Sequence, residues 1–270
     1  MSTTLGNRRD TVVKICGVRT VDAALAAADA GADIIGMIFA PSPRLIDIAT
    51  GQQIAQAVRQ TNTHHQWQQQ QHNPSQLHSS INNDATPAEF FTACADHILS
   101  RKGQESRPGP LLVGVFQNQS LEHILEVARS VPLDMVQLHG DEAVELAREI
   151  PVPVIKVFHV DDTFSSDSES DLFKTFCHSV VLLDTKVAGT SQQGGKGVSF
   201  DWSIAGKLAD KGIPFLMAGG LTPENIGRAV GVGRPWGVDV SSGIETDKVK
   251  DPKKIHAFVV NAKKNLESSA

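Results

Sequence analysis

No stretch of this 270-residue chain approaches the roughly 20 consecutive apolar residues that span a bilayer. The first ten residues are polar and contain no apolar core, so no secretory signal is visible. Cysteine is scarce. Cys16, Cys94 and Cys177 are odd in number and far apart, which excludes a disulfide framework and a CxxC redox pair. Tyrosine is absent. Neither sign of charge dominates: 25 basic residues against 30 acidic ones leave a formal net charge of −5. That balance gives no global attraction for nucleic acid or for an anionic membrane. The expectation is a cytoplasmic protein with reduced thiols, a monomer or homodimer, that binds neither nucleic acid nor membrane.

One stretch breaks the composition. From about Gln60 to Pro110 the chain is rich in Gln, Asn, Ser and His, and holds His64, His65, His72, His78 and His97. Such a tract can bind metal. Its residues bury too little apolar surface to offset the entropy of ordering, however, so 61–108 reads as a flexible insertion. Within it, Ala88–Leu99 has the pattern of one helix, packed loosely on the body and carrying Cys94. Without the insertion the chain has the size of a single (β/α)8 barrel.

The remainder alternates. Short runs rich in Val, Ile and Leu occur at Val12–Cys16, Asp33–Phe39, Leu111–Phe116, Asp134–Leu138, Val154–Phe158, Val180–Asp184, Pro214–Ala218 and Trp236–Val240. Helical patterns separate or follow them: Thr20–Ala30, Asp47–Gln60, Ser120–Ser130, Asp141–Glu149, Asp162–Phe176, Trp202–Asp210, Pro223–Val230 and Pro252–Leu266. The runs are too continuously apolar for half-exposed antiparallel strands, and a helix in each crossover favours parallel ones. Eight strand–helix pairs predict an α/β fold. It is one (β/α)8 barrel over 11–267, interrupted by a low-complexity insertion between its second helix and third strand. The first turn reads Cys16-Gly17-Val18-Arg19, which excludes the glycine fingerprint of a dinucleotide-binding open sheet.

Barrels of this kind place their chemistry at the C-terminal ends of the strands. Those ends carry Lys14 and Cys16, then Arg44, then Gln137 and His139, then Lys156, Asp184, Gly219-Gly220, and Asp239 with Ser241-Ser242-Gly243. Cys16 beside Lys14 fits a thiol of lowered pKa rather than a small buried hydrophobe. Asp184, at the end of a buried strand, fits an acid rather than a loop cap. Cys94 and Cys177 lie away from strand ends and read as structural. Gly219, Gly220, Ser241, Ser242 and Gly243 on adjacent mouths predict a phosphate site. Arg44 is placed to grip a carboxylate with two parallel hydrogen bonds, or is merely a solvated arginine. Lys14, Gln137, His139 and Asp239 are candidate substrate contacts. The glycine-rich segment Thr185–Ser199 is a candidate lid. No cluster of His, Asp and Glu has metal-ligand spacing, so no metal is expected.

Six motifs then line up in order. They are Lys14–Gly17, Val136–Glu142, Leu182–Thr185, Gly194–Gly197 with Phe200–Trp202, Ala218–Asn225, and Val238–Glu245. Together they resemble phosphoribosylanthranilate isomerase, an enzyme family of tryptophan biosynthesis, from about Val12 to Asn265. The resemblance implies a cofactor-free Amadori rearrangement of a small phosphosugar. It implies Asp184 as general acid on the ribose ring oxygen, Cys16 as general base at C2, and Arg44 on the anthranilate carboxylate. It puts the phosphate on the Gly220 and Ser241–Gly243 loops. The alternatives are another phosphosugar enzyme on the same barrel, or an inactive barrel that only binds a phosphorylated ligand. An indole-glycerol-phosphate synthase wants a lysine acid and a glutamate at its strand ends. A ribulose-phosphate epimerase wants metal-binding histidines and aspartates. Neither set is at the strand ends here.

Overall fold

The structure, a computed structural model, describes residues 10–60, 81–102, 109–160, 169–185 and 202–264. Eight parallel strands close into a barrel in chain order. They are β1 (Val12–Ile15), β2 (Ile34–Ile38), β3 (Leu111–Phe116), β4 (Met135–Leu138), β5 (Val154–Val160), β6 (Val180–Thr185), β7 (Phe215–Met217) and β8 (Gly237–Val240). All eight apolar runs are therefore strands, and the ring closes where β1 pairs with β8, Lys14 opposite Asp239. The described helices are α1 (Val21–Asp29), α2 (Ile48–Gln60), α3 (Pro87–Arg101), α4 (Leu121–Ser130), α5 (Glu169–Leu172), α6 (Trp202–Asp210), α7 (Ile226–Gly233) and α8 (Pro252–Lys264). A short antiparallel pair, β9 (Glu245–Thr246) and β10 (Val249–Lys250), follows β8.

The period-two alternation of each strand splits its side chains between two apolar clusters. Val12, Ile34, Leu111, Val113, Met135, Ile155, Val157, Val180, Leu182, Leu216 and Ala218 fill the barrel interior. The intervening residues, among them Val13, Ile35, Leu112, Val136, Val181 and Val238, pack outward under the helices. This alternation reassigns Lys156. It lies between inward-facing Ile155 and Val157, so it points outward and bonds to the Gly140 carbonyl at 2.7 Å and to Glu142 at 3.0 Å. It is no part of the mouth.

Two expected helices come out differently. In place of a helix over Asp141–Glu149 there is a 3₁₀ segment, Val144–Glu149. Glu142 turns inward, accepting from the Asn118 and Gly140 amides at 2.7 and 2.9 Å as well as from Lys156. That arrangement occupies what would have been the first helical turn. In place of a helix over Asp162–Phe176 only α5 is described, and residues 161–168 lie outside the described set. So does the candidate lid beyond Thr185, which itself ends β6.

The larger correction concerns the insertion. Its apolar piece is not a loose appendage. It forms α3, begun by a capping box in which Thr86 and Glu89 exchange bonds, with Pro87 at the first turn. Phe90, Phe91, Cys94, Ala95, Ile98 and Arg101 make one continuous buried face. Phe90 and Phe91 pack against Phe176 and His178, which precede β6, with ring centroids 4.8 and 5.2 Å apart. Ala88 lies beside Gly212, before β7. At the other end Arg101 and Lys102 pair with Asp134 and Asp33, which precede β4 and β2. The helix thus lies across the N-terminal end of the barrel, and Ile98 joins the interior cluster. Asp134 also accepts from Arg59 and from the Leu112 amide, and Asp33 from the Val13 amide, at 2.8 Å in both amide bonds. Strand-end donors that water cannot reach are satisfied there. The helix pattern was legible in sequence. That it seals the barrel was not, because its contacts are all distant in the chain.

If α3 closes the core, Ile98→Ala and Phe90→Ala should each cost about 2–5 kcal/mol of unfolding free energy. A loose appendage would change stability by no more than about 0.5 kcal/mol. Denaturant unfolding of each variant decides between them.

Candidate active site

The C-terminal ends of the strands surround one cavity of about 540 Å³. Its lining includes Cys16 from β1's end, Arg44 after β2, Gln117 after β3, His139 after β4, Asp184 on β6, Gly219 and Gly220 after β7, and Asp239 with Ser241–Gly243 on and after β8. Seven separate chain segments meet there, as the barrel's geometry dictates.

Cys16 is 6% exposed and Lys14 is fully buried. Lys14 does not line the cavity. It lies beneath Cys16 and donates to Asp239 Oδ1 at 2.9 Å across the barrel's closing seam. Expected as a substrate contact, it lies one layer below the cavity wall. The expected lowering of the Cys16 thiol is also corrected. Burial pushes its pKa above the ordinary value; the Lys14 and Lys250 ammoniums oppose this without reversing it, and the Asp239 carboxylate adds to it. Lys14 itself is raised: burial opposes its charge, but Asp239 and Cys16 outweigh that.

Across the cavity, Asp184 is 4% exposed, and its Oδ2 is 3.4 Å from His139 Nε2. Gln137 is fully buried behind His139, with Nε2 2.8 Å from Nδ1. A Gln137 amide that donates to Nδ1 leaves the imidazole proton on Nε2, facing Asp184. Gln137 thus orients His139 and does not itself reach the cavity. His159, at the end of β5, lies opposite Asp184 in the strand register and 5.6 Å from His139, ring to ring. Burial holds its pKa below the usual imidazole value, with the neighbouring His139 acting in the same direction. His159 and Gln117 had not been singled out from sequence. Strand parity and position would have flagged both.

Arg44 reaches the cavity along Gly17. That glycine has φ +72°, and a Cβ there would lie 2.5 Å from Arg44 Cδ, so only glycine leaves room for the arginine stem. The guanidinium makes a two-point pair with Glu245, Nε to Oε1 at 2.7 Å and Nη2 to Oε2 at 2.8 Å. Sequence position had marked Arg44 but not its partner, although Glu245 ended one of the quoted motifs. Gly219 and Gly220 have φ +90° and +62°, and Asn225 holds that turn by donating to the Gly220 carbonyl at 2.9 Å. Gly243 packs so tightly that a Cβ would lie 1.9 Å from the Leu221 carbonyl oxygen. The two glycine-bearing loops are thereby pressed together at one edge of the mouth. Cys94 and Cys177 are buried, unpaired and away from this cavity. Among the described residues no group of three or more His, Cys, Asp or Glu is arranged to hold a metal ion.

A family model described as N-(5′-phosphoribosyl)anthranilate (PRA) isomerase matches residues 61–261. A multifunctional tryptophan biosynthesis protein of Phycomyces blakesleeanus is 40% identical over 94% of the chain, but the chain spans only 33% of that protein. An N-(5′-phosphoribosyl)anthranilate isomerase of Roseiflexus castenholzii is 38% identical, with 93% of this chain and 98% of that protein covered. A solved phosphoribosyl anthranilate isomerase in complex with reduced 1-(o-carboxyphenylamino)-1-deoxyribulose 5-phosphate is also similar. It has a TM-score of 0.63 and 31% identity, and the match covers 94% of this chain and 98% of that one.

Cys16 alkylation by iodoacetamide tests the electrostatics, with Cys94 and Cys177 replaced by Ala. The midpoint of rate against pH should lie above the roughly 8.5 of a free thiol. Lys14→Met should move it higher still, because it removes a charge that favours the thiolate. A midpoint at or below the free value would contradict the arrangement.

Proposed function

The chain belongs to the N-(5′-phosphoribosyl)anthranilate isomerase family, and on that premise we propose that it converts N-(5-phosphoribosyl)anthranilate to 1-(2-carboxyphenylamino)-1-deoxyribulose 5-phosphate in tryptophan biosynthesis. The observation that carries this reading is the placement of Cys16 and Asp184. Both open on one cavity, from strands three places apart round the ring.

The chemistry follows from that placement. Asp184 gives a proton to the ribose ring oxygen as the C1–O bond breaks, and the nitrogen lone pair forms a protonated Schiff base. The positive charge beside C2 acidifies the C2 proton, which lowers the basicity the sulfur must supply. Cys16, as thiolate, takes that proton, and the C–H electron pair moves toward nitrogen to give an enolamine. Tautomerisation yields the ketone. His139 holds the Asp184 carboxyl toward the substrate, and Lys14 stabilises the thiolate from below. Asp239 fixes Lys14 and faces the sugar. The phosphate is assigned to Gly219, Gly220, Ser241, Ser242 and Gly243, and the anthranilate carboxylate to Arg44. No bound cofactor has a step in this sequence. We place the enzyme in the cytoplasm, since three unpaired thiols suit a reducing compartment. Among the described residues no helix is long and apolar enough to cross a membrane.

The barrel domain is assigned to 11–267, and 61–108 is assigned as its insertion. The end of α2, α3 and the start of β3 lie at the face remote from the mouth. Excision of residues 61–80 with a short linker should therefore leave kcat and KM unchanged. A folded but inactive product would overturn the assignment.

The reaction itself is tested by forming phosphoribosylanthranilate in place from anthranilate and ribose 5-phosphate and following the loss of its fluorescence. The purified chain should accelerate that loss. Cys16→Ala and Asp184→Asn should each lower kcat by about 10²–10⁴-fold while a product analogue still binds. Retained turnover in either variant would remove that residue from its role.

A further inference from the structure

We infer that Glu245 is a positioning residue that makes the mouth selective for a ligand bearing a carboxylate, by holding one face of Arg44 so that the other face is presented to the cavity. The inference rests on the isomerase reading and deepens it.

Glu245 follows the 3₁₀ segment Ser242–Ile244 and opens β9. Its side chain is 8% exposed. Besides the two bonds from Arg44, its Oε1 accepts from Lys250 Nζ at 2.9 Å. With three donors on it, Glu245 is held down at about 2 despite burial, so it is ionised across any working pH. Lys250 spends its remaining donors on Ser241, the carbonyl at 2.8 Å and Oγ at 3.4 Å. Arg19, which also lines the cavity, ties the same elements, donating to the Pro43 and Lys248 carbonyls at 3.2 and 2.7 Å. The loop carrying Arg44, the β9–β10 pair and the Ser241 turn are thus one connected unit.

An arginine has two faces that take a carboxylate in two-point fashion: Nε with one Nη, and the two Nη groups together. Glu245 occupies the first. The second face has no partner among the described residues, and Arg44 lines the cavity. The charges point the same way. Arg44, Glu245 and Lys250 form a partly buried trio of two cations and one anion. An ion pair kept only for stability would be neutral, and an unbalanced buried cation is costly. One further anion at Arg44 balances the set. The flat face of the guanidinium and its two-point geometry fit a planar aryl carboxylate. Lys250 offsets the repulsion that Glu245 would exert on it.

The test compares two substrates formed in place from ribose 5-phosphate: phosphoribosylanthranilate, and the aniline analogue that lacks the carboxylate. The unsubstituted chain should prefer the first. In Glu245→Gln the charge is lost and the amide sets an N–H against Arg44 or Lys250. KM for phosphoribosylanthranilate should then rise about tenfold with kcat within a few-fold, and kcat/KM for the aniline substrate should stay as it was. Arg44→Lys, which keeps the charge but not the two-faced fork, is the second variant and the one less prone to misfold. It should lose the same preference with Glu245 intact. Combining the two substitutions should add little to either alone. Equal losses on both substrates, or an unchanged preference in both variants, would overturn the role of Glu245. An unsubstituted chain that turns over neither substrate would overturn the isomerase reading and this inference with it. If the inference alone is wrong, that turnover remains.

Discussion

The ion pair between Lys14 and Asp239 sits where the first strand of the barrel meets the last. Two consequences follow from one contact. The ring closes at that register, since a slip of one residue would turn every side chain of β1 to the other face. The ammonium is also held directly under Cys16. Stability alone does not account for such a pair, because two well-packed apolar residues serve a core at least as well. The pair makes sense as a device for chemistry above it. Burial favours the thiol, and the lysine beneath reduces that penalty without cancelling it.

The same barrel is polar at one end and sealed at the other. At the mouth the strand ends present Cys16, Gln117, His139, Asp184 and Asp239, and the loops beyond supply Arg44 and Glu245. At the opposite end, Asp33 and Asp134 collect strand amides and four cationic side chains, Lys102, Lys263, Arg59 and Arg101, and α3 lies across the opening. Beneath the Lys14–Asp239 pair and Gln137 the interior is apolar. Polar groups are therefore confined to where they are either bonded or wanted. The segment between α2 and β3 carries both the compositional break and the well-seated α3.

Glu245 illustrates how the mouth is organised. Catalytic groups at strand ends are rigid because the strands are. Arg44 is on a loop and needs something to hold it. The carboxylate of Glu245 does this from β9, and Lys250 passes the constraint on to Ser241. Arg44 and the Ser241 turn are linked by this chain of contacts.

What the sequence determined by itself was the alternation. Eight apolar runs with helices between them leave few arrangements, and parity along each run already separated Lys14, Cys16, Gln137 and His139 from their outward neighbours. Parity would equally have turned Lys156 outward, had it been applied there. Only the tertiary structure decided depth and partnership. Lys14 and Cys16 share a face, yet one is beneath the floor and the other at it, because depth depends on strand stagger. Arg44 and Glu245 are 201 residues apart in the chain, and Arg101 and Asp134 meet across the barrel's sealed end. Local pattern sets which way a side chain points. Which charge it meets is set by closure of the ring, a long-range condition that no short window of sequence contains.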